Sequence, residues 1–350
     1  MSGAVSEPPA QCFNGPMPNQ RLYAAIDLGG TKVRAIVAGL DGSVRGEDIR
    51  PSLAADGLDA TLGAMMDSLD AALGAAGAQR AGLHGLGIAS PGAMDVTRGV
   101  VTSAPQLIGW KEVSLLEIMR GKLGVDVWLD NDANAGALGE HTFGAGRGSR
   151  HMIYLTISTG LGGGIIINGE LYRGARGFAG EIGHASIDLH GPECGFGGRG
   201  CLESLASGTA IAKRGQELLA TGKASLLGRL AGNEGAVTCE MMARAARDGD
   251  EACREVFLET GHYLGVTLAN CVNIFNPEMI VIGGGVALAA DLFMGEARAT
   301  MEARAIAESL NDVRIELGAL GDRAGSLGMI AAMREAVVLR GSASPADPAG

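Results

Sequence analysis

The sequence predicts an α/β protein of two similar halves, and three observations carry that prediction. Short apolar runs of strand length alternate with longer stretches of helical periodicity. Two segments, LYAAIDLGGTKVRAIVAGLDG (22–42) and HMIYLTISTGLGGGIIINGEL (151–171), repeat one plan: strand, glycine/threonine turn, strand. The chain has 350 residues and 57 glycines, enough length for two domains and enough glycine for many tight turns.

The elements follow in order. Apolar runs on both sides of Gly29-Gly30 read as two strands joined by a tight turn. Residues 56–77 place Ala, Leu and Met among Asp at helical spacing, an amphipathic helix. GLGIAS (85–90) is a buried strand ending at Pro91-Gly92, and VDVWLDND (125–132) a second one running into acidic residues. A helix over 133–143 begins at Ala133-Asn134, and the second hairpin follows at 151–171. Helices are expected near 203–219, 236–247 and 251–275, then a strand at 279–285 that ends in three glycines. A helix over 288–308, a strand at 313–317 and a last helix over 326–339 complete the fold. The boundary is expected near residue 131: a first domain 21–130 to which helix 326–339 returns, and a second domain 131–325. Residues 1–20 and 340–350 are polar or small and are expected to be disordered tails.

Composition excludes several functions. A formal net charge of −11 argues against a nucleic-acid partner, which requires clustered Lys and Arg. Residues 1–20 have neither a basic nor an apolar region of a signal peptide, and no run of eighteen apolar residues occurs. A cytoplasmic location with no membrane partner is the expectation. Cysteines in such a chain are free thiols or metal ligands rather than a disulfide framework. Cys12, Cys239, Cys253 and Cys271 are scattered and read as packing.

The glycine turns suit a nucleotide. Phosphates need backbone N–H groups at close range, and glycine permits that approach. IDLGGTK sets Gly29 and Gly30 beside a carboxylate (Asp27), a hydroxyl (Thr31) and an ammonium (Lys32). Asp27 could hold Mg²⁺ directly or through water, because Mg²⁺ takes few carboxylates plus phosphate oxygens. TISTGLGGG supplies a second turn (Thr159, Gly160, Gly162), and IGGG a third (Gly283, Gly284, Gly285). No Walker A motif and no GxGxxG opening a helix is present, which lowers the P-loop and Rossmann alternatives. Three such turns, two in matching halves, point to a nucleotide held between two domains. Asp132, just past a buried strand, is a good general base for a hydroxyl. An Asp before a helix is also an ordinary N-cap.

The order IDLGGTK, SPG, LDNDAN, TGLGGGIIING, EIGH, GCLE and IVIGGG, over roughly residues 22–335, resembles the ROK family of sugar kinases and transcriptional repressors. The resemblance implies an actin-like, ribonuclease H-type duplicated fold, with ATP and sugar in a cleft between two domains. It implies that Asp132, and not Asp130, is the catalytic aspartate. It puts Asn131, Glu181, His184 and Glu203 around the sugar, with Gly92 leaving room for the ring. It implies phosphorylation of a hexose, glucose first, at O6. N-acetylmannosamine, N-acetylglucosamine, mannose, fructose and allose remain open, because such sugars use nearly the same residues. Relatives form dimers or tetramers, so a homo-oligomer is expected.

In that family the loop after EIGH carries one His and three Cys around a structural zinc. Here His184, Cys194 and Cys201 stand at three of those positions, but Phe196 occupies the fourth. Phenylalanine cannot ligate a metal, so the expectation is that zinc is absent and Phe196 packs the loop. A substitute ligand (His190, Glu193 or water) and weak binding are the other outcomes. Two smaller departures are Ser158, where the second turn more often has Gly, and Gln106, where Asn is more usual. The rival functions are a repressor and a non-catalytic sugar-binding module. About twenty residues precede the first strand, far fewer than a three-helix DNA-binding domain. Asp132 and the Lys32 turn speak for catalysis.

Overall fold

A computed structural model describes residues 21–223, 225–232 and 236–342. The expected tails 1–20 and 343–350 lie outside the described residues, whereas 340–342 are helical.

The first lobe is built on β1 (Leu22–Leu28), β2 (Lys32–Ala38), β3 (Val44–Pro51), β4 (Leu83–Ser90) and β8 (Val127–Asn131). Their sheet order is β3-β2-β1-β4-β8, with β1 antiparallel to β2 and parallel to β4. A small sheet of β5 (Ala93–Asp95), β6 (Val100–Ser103) and β7 (Lys111–Val113) lies between β4 and β8 in sequence. Helices α1 (Leu58–Ala75) and α2 (Leu115–Leu123) complete this lobe. The second lobe repeats the plan. Strands β9 (Met152–Ile157), β10 (Leu161–Ile167), β11 (Glu170–Leu171), β12 (Met279–Gly283) and β13 (Arg314–Leu317) are ordered β11-β10-β9-β12-β13, with the same parallel and antiparallel pairings. This is the duplicated actin-like architecture.

Side-chain alternation decides what covers each face. In β1, Ala24 and Ile26 join α1 residues Leu62, Met65 and Leu69 in one core. Tyr23 and Ala25 face the other way, onto Leu327, Ile330 and Met333 of α11 (Ala324–Ser342). In the second sheet, Ile153, Leu155 and Ile157 pack with α8 (Glu251–Phe275) and α9 (Ala290–Arg304), whereas Met152 and Tyr154 meet Ala137 and Leu138 of α3 (Asp132–Phe143). The helices α3 and α11 therefore lie between the lobes and against each other. Gly328 makes that crossing possible: a methyl group there would lie 1.6 Å from the Ala135 carbonyl. Glu140 of α3 is buried and accepts the N–H groups of Ala145, Ala319 and Leu320 at 2.9, 3.1 and 2.9 Å, which fastens α3 to the turn before α11.

The remaining helices are α4 (Leu202–Ala206), α5 (Gly208–Ala220), α6 (Ser225–Ala231), α7 (Cys239–Arg247) and α10 (Ala307–Leu310). The helix expected over 203–219 is broken, because Ser207 takes an extended conformation and its Oγ caps α5 by accepting from Ala210 N–H. The stretch 288–308 likewise divides at extended Ala305. No helix among the described residues is long and apolar enough to cross a membrane.

Candidate functional site

The first glycine turn joins β1 to β2 and is closed by the Gly29 N–H donating to the Lys32 carbonyl at 2.8 Å. Thr31 and Lys32 are exposed at its mouth, and the Gly30 α-carbon faces the side chain of Gln106. Asp27, on β1, lies against the first turn of α11 at Gly325. Burial pushes its carboxyl up to about 7; Asp132 and Asp322 add to the rise and Arg34 opposes it.

The second turn, Ser158–Gly160, is closed by Ser158 N–H on the Gly160 carbonyl at 2.8 Å. The Ser158 carbonyl accepts Gly208 N–H at 2.8 Å, and the Thr159 carbonyl accepts the Thr209 hydroxyl at 2.8 Å, so the start of α5 supports this turn. The third turn adjoins it: Gly284 has φ +88°, and a Cβ there would meet the Ile157 carbonyl at 2.3 Å. Gly283 abuts the ring of Tyr154, and Gly285 follows at the start of a short 3₁₀ turn. Gly162 rests on Ala133 of α3, so the second turn also reaches the start of that helix.

Three consecutive residues at the end of β8 divide the polar work. Asp130 is buried and accepts Nε and Nη2 of Arg173 at 3.1 and 2.7 Å. Asn131 is the N-cap of α3, its Oδ1 accepting Ala133 and Asn134 N–H at 2.9 and 3.2 Å, and its Nδ2 approaches the Gly92 carbonyl at 3.5 Å. Asp132 is the first residue of α3. Burial raises its carboxyl to about 6; the Ala133 N–H opposes that and the Glu181 charge adds to it. Gly92 has φ +93°, and a Cβ there would sit 2.3 Å from the Ser103 carbonyl.

The loop after β11 adds the rest. Glu181 approaches Nε2 of His184 at 3.9 Å. Its carboxyl is raised by burial, against the His184 charge and with that of Glu203. Glu203 accepts the Leu161 N–H at 2.9 Å, which ties the carboxylate at the start of α4 to the second glycine turn. Asn131, Asp132, Glu181, His184 and Glu203 thus share one neighbourhood. Such a set can hold vicinal hydroxyls and remove a proton from one of them.

The donor atoms of His184, Cys194 and Cys201 lie within 4.8 Å of one another. The Phe196 ring stands 4.5 Å from the His184 ring, centroid to centroid. Neither expected substitute ligand, His190 or Glu193, joins that group among the described residues; the backbone N–H of His190 donates to Asp188 at 2.9 Å and Glu193 pairs with Arg199 at 3.3 Å. Three donors and a phenyl ring do not fit a closed four-ligand zinc site.

Sequence reasoning missed Arg173, Gly325 and the pair Gly208/Thr209. Arg173 finds Asp130 across 43 positions of chain, which no local pattern reveals. Gly325 is one glycine among 57.

The ROK family model matches residues 23–336. A xylose repressor from Caldicellulosiruptor bescii is 36% identical over 87% of this chain and 76% of its own length. A glucokinase from Halalkalibacterium halodurans is 34% identical over 89% of this chain and 94% of its own. A ROK family glucokinase from Streptomyces griseus, solved with glucose and AMPPNP, superposes with TM-score 0.79 at 31% identity, over 88% of this chain and 98% of that one.

Proposed function

The chain belongs to the ROK family, and on that premise we propose that it is an ATP-dependent hexose kinase with glucose as its first substrate and O6 as the acceptor. The observation that carries this reading is Asp132. Its carboxyl is raised to about 6 and has Asn131 and Glu181 beside it. A base with a pKa near the working pH combines ionisation with proton affinity, the best compromise for general-base catalysis. As the sugar oxygen bonds to the γ-phosphorus, its proton passes to Asp132 and the bridging oxygen leaves with ADP. The loose transition state makes orientation the main task of the remaining side chains.

Asn131, Glu181, His184 and Glu203 would orient the hexose, with Gly92 giving the ring room. The three glycine turns would cradle the phosphates with backbone N–H groups. Asp27 fits a Mg²⁺ site: it is a half-buried carboxylate beside the first glycine turn whose ionisation its surroundings disfavour, a demand that a cation meets. Mg²⁺ held there, directly or through water, would neutralise charge on the phosphate oxygens.

The similarity to the xylose repressor favours a second reading, a sugar-responsive regulator without turnover. An ADP-release assay with ATP and a sugar panel separates the two. Glucose is expected to give the highest kcat/KM, with N-acetylmannosamine, N-acetylglucosamine, mannose, fructose and allose compared beside it. Sugar binding by calorimetry without any ADP release would favour the regulator.

A further inference from the structure

We propose that Arg173 is a positioning residue for phosphotransfer, acting through Asp130 to fix Asp132 and the sugar-facing loop in one register across the two lobes. The inference rests on the kinase reading given above. Arg173 follows β11 at the edge of the second sheet, at the start of the segment that leads to Glu181 and His184. Its carbonyl accepts Ala179 N–H at 3.1 Å, so the residue is built into that loop and does not hang from it. Asp130 belongs to β8 in the first sheet, and its side chain is 3% exposed.

The geometry is that of a two-sided clamp. Nε and Nη2 of Arg173 both reach Oδ2 of Asp130, at 3.1 and 2.7 Å. Oδ1 accepts the Asn131 N–H at 2.9 Å and Nδ2 of Asn134 at 3.2 Å. One oxygen therefore holds the second lobe, while the other holds the strand end and first turn that present Asp132. A buried carboxylate saturated in this way cannot rotate without leaving a donor unpaired. Rotation of Asp130 would carry Asn131, the cap of α3, and with it the direction of Asp132. Arg173 also lies within electrostatic range of Glu335 on α11, so the clamp stands where β8, α11 and the loop converge.

Steady-state kinetics on the sugar that the wild type turns over best, with thermal melting beside them, test this. Arg173→Met is expected to lower kcat by about 10- to 100-fold, the scale of a roughly 1 Å misplacement, with KM for ATP unchanged. Arg173→Lys keeps a cation for Asp130 and so keeps the fold, but it loses the two-pronged contact. It is expected to recover part of kcat. A lowered melting temperature with kcat unchanged in the Lys variant would overturn the proposal and leave Arg173 a structural ion pair. If Arg173→Met does not fold, the Lys variant alone decides. A wild type silent on every sugar overturns the kinase reading, and this inference falls with it.

Discussion

The carboxylate of Asp27 rests on the α-carbon of Gly325, so near that a methyl group there would lie 2.4 Å from Oδ2. The end of β1 and the first turn of α11 thus meet at the residue proposed to hold Mg²⁺. Gly325→Ala should force the carboxylate aside. We predict that KM for MgATP rises by about tenfold, the loss expected from displacing one charge-assisted contact, while sugar affinity is unchanged. An ordinary helical Gly→Ala exchange stabilises by up to about 1 kcal/mol. A higher melting temperature with KM for MgATP unaltered would therefore show that Asp27 has room and no special place.

Asp132 predicts a pH profile. The base must be ionised, and its carboxyl is pushed up to about 6. Activity should thus rise as pH rises through about 6 and level off above it. Asp132→Asn should lower kcat by about 10²- to 10⁴-fold, the usual worth of a general base, and leave sugar binding within a few-fold. A rate–pH curve flat from 5 to 8 would remove Asp132 from the role.

The same carboxylates predict an effect on stability. Asp27 and Asp132 are raised in the folded protein to about 7 and about 6, from 3.8. Between about pH 4 and 7 the native state therefore binds more protons at these sites than the unfolded chain. Their contribution to stability is complete below about pH 4 and is lost as pH rises through 6 and 7. Removing the charge should reverse that loss. Asp132→Asn is expected to stabilise by about 1–3 kcal/mol at pH 8 and by nothing at pH 4. Melting curves of both proteins at the two pH values check it, and equal gains at both would count against a titrating origin.

The duplicated fold was legible because its signal is local. A strand, a glycine turn and a second strand occur twice, and the 251–275 periodicity coincides with α8 (Glu251–Phe275). The breaks at Ser207 and Ala305 were less visible, since helical periodicity continues across both. Short strands β5, β6 and β7 escaped because three or four residues carry no period. The residues proposed to act on the sugar sit in contiguous motifs. Their supports, Arg173 on Asp130 and Gly325 under Asp27, join segments far apart in the chain, and such pairings exist only after folding.

Phe196 allows a test by gain of metal. His184, Cys194 and Cys201 already gather their donor atoms within 4.8 Å, and the Phe196 ring lies against His184 where a fourth donor is missing. The three residues alone are expected to retain no tightly held zinc after purification from metal-replete medium. Phe196→Cys would supply a Cys₃His set, the composition of closed structural sites. We expect that variant to retain about one zinc per chain through dialysis against a weak chelator, with a higher melting temperature that a strong chelator cancels. Elemental analysis reads both proteins directly. A full equivalent of tightly held zinc in the wild type would mean that water or a shifted side chain completes the site, and that the phenyl ring does not substitute for the metal. If neither protein held zinc, the loop backbone would be at fault, because its turns through Gly197, Gly198 and Gly200 would then be unable to bring position 196 to the other three.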